Sequence, residues 1–224
     1  MCGRYSLTAD LDHLVAHFQA TARLAGLLPR YNIAPSQSVV IVRNQPETQE
    51  RELSSVHWGL IPSWAKDPKI GNRLINARAE TLSEKPSFRA AFRRRRCLLP
   101  ATGFYEWHQH DEVKQPYNFC RRDGEVFALA GLWEHWQRAD GSVLESCLVI
   151  TVPADYRMES YQQRMPAIVE PTDYDTWLSV ESPAPHLHDV LLRASMAGME
   201  IYPVSTRVNA PIHDEPDCLD PLAS

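Results

Sequence analysis

The sequence predicts an α+β fold: a single domain over residues 1–224, with a predominantly antiparallel, barrel-like β-sheet core flanked by helices. Two observations carry this prediction. Strand patterns rich in β-branched and aromatic residues fill the middle of the chain, and helical periodicities sit toward both ends. Seventeen prolines are scattered along it with no repeat, low-complexity run or linker, so the elements are many and short and no boundary divides them. With 224 residues, 44% of them apolar, the chain is long enough to bury a core.

Residues 9–27, ADLDHLVAHFQATARLAGL, place Leu11, Leu14, Val15, Phe18 and Leu24 at helical spacing and predict a helix. SVVIVRN and RELSSVHWGL read as strands joined by the polar QPETQ turn. SEKPSFRAAFRRR reads as a short helix capped by Ser83, with Phe88 and Phe92 four apart on one face. RCLLPATGFYEWHQ, QPYNFCRRDGEVFALAGLWEHWQ and VLESCLVITVPA carry strand patterns. Inside the second of these, Asp123-Gly124 suits a tight primed turn and predicts a hairpin. TDYDTWLSV and HLHDVLLRASMA read as helices, and MEIYPVST as a late strand.

The net charge of −5 argues against indiscriminate binding to nucleic acid. The charge is uneven, however. Between Lys66 and Arg96, ten basic residues face three acids, a local surplus of seven that suits phosphate. The five cysteines are odd in number and form no CxxC pair, so a zinc ribbon or thioredoxin motif is unsupported and a reducing compartment is expected. No apolar run reaches membrane-spanning length and the first 30 residues lack a signal peptide's layout. The expected location is the cytoplasm, on the nucleoid if the source is bacterial, with no membrane contact.

The chain opens MCGRY. A thiol at an exposed chain end is a liability, but removal of Met1 turns Cys2 into a 1,2-aminothiol. Its α-amine, of a kind that ordinarily titrates at about pH 8, far below lysine, keeps a substantial neutral fraction at cellular pH that can attack an aldehyde. The thiol then closes a five-membered thiazolidine. The same opening also fits an N-terminal-nucleophile amidohydrolase, with Cys2 as nucleophile and Asn76 as oxyanion donor. Glu106 lies between Tyr105 and Trp107, and strand parity turns it away from both. Partial desolvation there raises a carboxyl toward useful acid–base values. Asn76 offers an amide that both donates and accepts, and Arg78 a fork for a phosphate. Arg4 is a second phosphate candidate. Asn32, Pro35, Trp64 and Trp107 are candidates for contact with an unpaired strand, where aromatics stack on bases without reading sequence.

MCGRY, RYNIAPSQ, WGLIPSWAKD, LINARAET, CLLPATGFYEW, RMPAIV and YPVSTRVNAP run in order from Cys2 to about Pro211, leaving a tail of about 212–224. Together they resemble the SOS response-associated peptidase (SRAP) family of abasic-site processing proteins. The resemblance implies a sensor of abasic sites in single-stranded DNA that crosslinks itself through the N-terminal cysteine and removes the preceding residue itself. It also implies catalytic roles for Cys2, Asn76 and Glu106, and DNA contacts from residues that include Arg78 and Arg164. No cofactor is implied, since the reactive carbonyl belongs to the substrate, and no protein partner at a replication fork is identified. One position departs from the family. A histidine usually stands two residues before the arginine of RMP; here it is Gln162. Glutamine orients a hydroxyl but exchanges no proton near neutral pH, which makes His108 and His110 candidates to substitute. A non-catalytic DNA reader using the basic window and the tryptophans is the remaining rival, and it would tolerate loss of Cys2.

Overall fold

The computed structural model describes residues 2–110 and 113–222. Strand β1 (Tyr5–Leu7) leads into helix α1 (Leu11–Phe18), whose cap Asp10 accepts a hydrogen bond from the His13 backbone at 2.8 Å. The helix stops at Gln19, which turns left-handed with φ 49°, and β2 (Thr21–Ala22) follows. The helix predicted over 9–27 is therefore too long. Leu24 lies six positions past Phe18, which rotates it off the face that Leu14 and Phe18 bury.

Strands β3 (Arg30–Ile33), β4 (Ser38–Asn44) and β5 (Arg51–Trp58) come next, then β6 (Asn76–Arg78) and α2 (Arg89–Arg94). Ser83 does not cap α2. Phe88 occupies that position and makes no side-chain cap bond, while Ser83 Oγ lies 3.4 Å from His188. Phe88 and Phe92 are both buried, as expected.

The rest of the chain comprises β7 (Arg96–Ala101), β8 (Gly103–His110), β9 (Val113–Arg121), β10 (Phe127–Gln137), β11 (Val143–Pro153), β12 (Arg164–Pro166), β13 (Ile168–Val169), α3 (Tyr174–Leu178), α4 (Ala184–Leu192) and β14 (Met199–Pro203).

Five strands close a barrel in the order β11-β10-β7-β4-β5. The rungs along that path are antiparallel. The ring shuts through a parallel pair between β5 and β11, Ser146 opposite His57 and Cys147 opposite Trp58. Gly131 leaves no room for a side chain: a Cβ there would lie 2.8 Å from the Leu148 carbonyl oxygen. A second, antiparallel sheet runs β14-β9-β8-β1-β3. One apolar core joins the two sheets, so the α+β, barrel-centred, single-domain expectation holds.

The expected hairpin at Asp123-Gly124 does not form. The turn is present, with Gly124 at φ 74° and its N–H on the Arg121 carbonyl at 3.1 Å. Its flanking strands then diverge: β9 pairs β8 and β14, and β10 pairs β7, β11 and β13. β10 is buried along most of its length and needs a barrel partner on each edge. The true hairpin is β8–β9, in register from Gly103–Cys120 to His110–Val113. No described helix is long and apolar enough to cross a membrane.

Candidate active site

The N-terminal segment lies along the strand that carries Glu106. Tyr5 pairs Phe104 and Ser6 pairs Gly103, and the Tyr105 N–H donates to the Arg4 carbonyl at 3.0 Å. Continuing that register sets Gly3 across from Glu106. Strand parity acts as predicted: Tyr105 and Trp107 pack on the opposite side with Val204, Val208 and Cys218. Glu106 is only 2% exposed, and burial holds its carboxyl above the usual carboxylate range.

Cys2 is wholly buried, contrary to the exposed chain end the sequence suggests. Burial first, and then the negative charge of Glu106, push its thiol far above the ordinary value, so sulfur stays protonated at neutral pH. Asn76 reaches Cys2 from the other sheet. Strand β6 runs parallel to β11, with Asn76 opposite Val149. The indole N–H of Trp58 holds the preceding Ile75 carbonyl at 3.0 Å. The Asn76 amide nitrogen then donates to the Cys2 carbonyl at 2.9 Å. Its oxygen is buried with no hydrogen-bond partner among the described residues. Such an orphaned acceptor costs about 1–3 kcal/mol and suits an incoming donor such as a hydroxyl or amine.

The family model for SOS response associated peptidase (SRAP) matches residues 1–211. The chain belongs to this family. It is 39% identical to abasic site processing protein YoqW of Bacillus subtilis, over 98% of this chain and 99% of that one. It is 31% identical to abasic site processing protein HMCES of Xenopus tropicalis, over 85% of this chain and 65% of that longer protein. A crystal structure of a Bacteroides thetaiotaomicron protein shares the fold, with a TM-score of 0.88 at 24% identity and coverage of 99% and 100% of the two chains.

In this SRAP chain Gln162 is half-buried in the turn before β12, its N–H on the Met158 carbonyl at 3.0 Å. The neighbouring Tyr161 ring lies 5.5 Å from the His108 ring and 4.9 Å from that of Tyr117. Tyr117 pairs directly with Glu106 across the hairpin. These rings bring the Gln162 turn to the strand bearing Glu106 and His108. Sequence reading missed Tyr117 and Tyr161; pairing β8 with β9, instead of joining strands at Asp123-Gly124, reveals Tyr117 by register alone. Met1 and the side chain of His110 lie outside the described residues.

The basic candidates divide into exposed and engaged groups. Arg78 is exposed, two residues beyond Asn76 on the same strand. Arg164 is engaged: its fork grips both Glu80 oxygens at 2.9 and 3.0 Å and also contacts Thr151. That bond is the main reason the Glu80 carboxyl sits below its usual range. Arg164 meets a phosphate only by exchanging Glu80 for it. Arg4 donates to the Asn32 side chain at 2.8 Å and to the Val208 carbonyl at 2.5 Å, and lies 5.9 Å from the Trp107 ring centre. Asn32 is fully buried, and its amide nitrogen holds the carbonyls of Val208, Ala210 and His213. It presents no surface to a strand, which corrects the expected direct contact. The Trp107 N–H binds Asn209 at 2.7 Å, so Arg4, Asn32 and Trp107 clamp one late segment.

Pro35 is half-buried in a turn that Ser36 completes at φ 70°. Trp64 is 58% exposed, in a groove with Lys66, Lys69 and Arg73. The arginine run is split between surface and interior. Arg96 is buried on the carbonyls of Trp177, Phe92 and Ser179, and Arg95 pairs with Glu134 at 2.7 Å, leaving Arg93 and Arg94 exposed.

Proposed function

We propose that this SRAP chain senses abasic sites in single-stranded DNA and joins them covalently through Cys2, shielding the lesion from strand cleavage. The reading rests above all on Cys2, buried beside an amide with an unpartnered oxygen and along a strand whose carboxyl stays protonated above the usual range. Its relatives' name, abasic site processing protein, points the same way.

Hydrolysis of the Met1–Cys2 bond consumes one water and frees the α-amine. The neutral amine adds to the open-chain sugar aldehyde, and loss of one water leaves an imine. The Cys2 S–H then adds across the C=N bond, sulfur to carbon and proton to nitrogen, which closes the thiazolidine. Glu106 gives the proton that the departing hydroxyl needs and takes back the one the amine sheds. Because the thiol is protonated, the amine leads and sulfur follows. Asn76 orients the sugar through its unpartnered oxygen. Arg78 meets a phosphate, and Trp64 with its three cations stacks a neighbouring base. Gln162 orients the sugar hydroxyl in place of a proton-exchanging histidine, and His108 supplies that exchange from the neighbouring strand position.

A denaturing gel tests the reading. Wild-type protein and an abasic single-stranded oligonucleotide give a heat-resistant, slower-migrating band that Cys2→Ala abolishes. A band unchanged by Cys2→Ala, or none with wild type, rejects it. Ammonia released from glutamine with no DNA adduct identifies the amidohydrolase, and reversible binding that tolerates Cys2→Ala identifies the reader.

A further inference from the structure

The geometry points to a divalent transition-metal site formed by His13, His17 and Glu125, in a region the proposed DNA chemistry does not use. His13 and His17 stand four apart on α1, so both rings leave one helix face. Their ring centres are 6.2 Å apart. Glu125 arrives from the crossing between β9 and β10, and its Oε2 lies 3.3 Å from His13 Nε2. One ligand atom from each of the three residues lies within 4.8 Å of the other two. Two donors on one tetrahedral zinc, each about 2.0–2.1 Å from the ion, stand about 3.4 Å apart. The His13–Glu125 pair already has that spacing. His17 closes the triangle with a movement on the order of 1 Å, within reach of side-chain rotation. Two imidazoles and one carboxylate suit zinc, nickel or copper and disfavour magnesium and calcium, which take oxygen.

The surroundings favour the same reading. The Tyr174 hydroxyl lies 3.2 Å from His17 Nε2 and sets that ring's orientation, as outer partners of metal-bound histidines do. The opposing cation, Arg121, is held by both oxygens of Asp123. Three protein ligands leave a fourth position for water. The ion ties α1, which follows the strand behind Cys2, to the segment where the chain crosses from one sheet to the other. Its role is mechanical.

Calorimetric titration of the full chain with Zn²⁺, under a non-thiol reductant, tests the site alongside thermal melts. Wild type binds one ion per chain and its melting temperature rises. His13→Ala and His17→Ala each weaken binding by about tenfold or more, Glu125→Gln weakens it too, and each loses the zinc-induced rise. Metal-free melts close to wild type show that the variants fold; His13→Gln and His17→Gln replace any that do not. Absence of zinc binding by wild type overturns the proposal. So does binding that survives the double His13→Ala, His17→Ala variant, which moves the ion to Glu215, Asp217 and Cys218 or to other thiols.

Discussion

Glu106 keeps its proton at a pH where an exposed glutamate has lost it, because burial penalises the charged form. The sign follows. Below the ordinary carboxylate pKa both folded and unfolded chains are protonated and nothing is lost. As pH rises toward the raised folded value, the unfolded chain ionises more readily and stability falls. Glu106→Gln therefore flattens this loss, which begins as pH rises through the ordinary carboxylate range, in denaturant melts taken across pH. It also slows crosslinking by about a hundredfold or more and removes the carboxyl limb from the pH–rate profile. Gln162→His tests the family's missing proton carrier: it adds a limb at about pH 6.5 to crosslink formation or release, and identical rates and profiles deny that position a role. For the two arginines the structure separates what the sequence could not. Arg78→Ala lowers the salt slope of single-strand binding by about 0.7, whereas Arg164→Ala leaves it unchanged while Glu80 occupies the fork. Asn32, Arg4 and Arg96 resemble DNA contacts in the sequence because a buried polar side chain and an exposed one are the same letter. Only the fold shows which backbone carbonyls they satisfy.

The strands were the most legible elements, since β4, β10 and β11 are long runs rich in β-branched and apolar residues that have to be buried. The helices were less so. The apolar residues after α1, Leu24 among them, extend its run without keeping its buried face, so composition lengthens the expected helix past Gln19. The Asp123-Gly124 turn was visible but its partners were not, because turn chemistry is local and strand pairing is settled by distant edges. The Gly59–Gly71 contact is of the same kind. Gly59 sits at φ 139°, a Cβ on it would lie 2.8 Å from the Gly71 carbonyl oxygen, and the contact fastens the Pro68–Arg73 turn beside the Trp64 loop. Gly59→Ala costs about 2 kcal/mol or more in chemical denaturation; a cost near zero contradicts this account of the contact.

The barrel and the second sheet share one core, and Cys2 belongs to it. Unfolding by denaturant is accordingly a single transition, with tryptophan fluorescence and far-ultraviolet dichroism coinciding. The site is assembled by this arrangement: Cys2 and Glu106 come from one sheet, and Asn76 from a strand added to the barrel, none near another in sequence. The sequence supplied the chemistry of each residue and the order of its motifs, while proximity waited on the topology. The most direct measurement is the mass of the adduct formed with an abasic single-stranded oligonucleotide. The account predicts the chain without Met1 plus the oligonucleotide minus one water, with the modified peptide beginning at Cys2. An adduct that retains Met1, or that maps to a lysine, contradicts it.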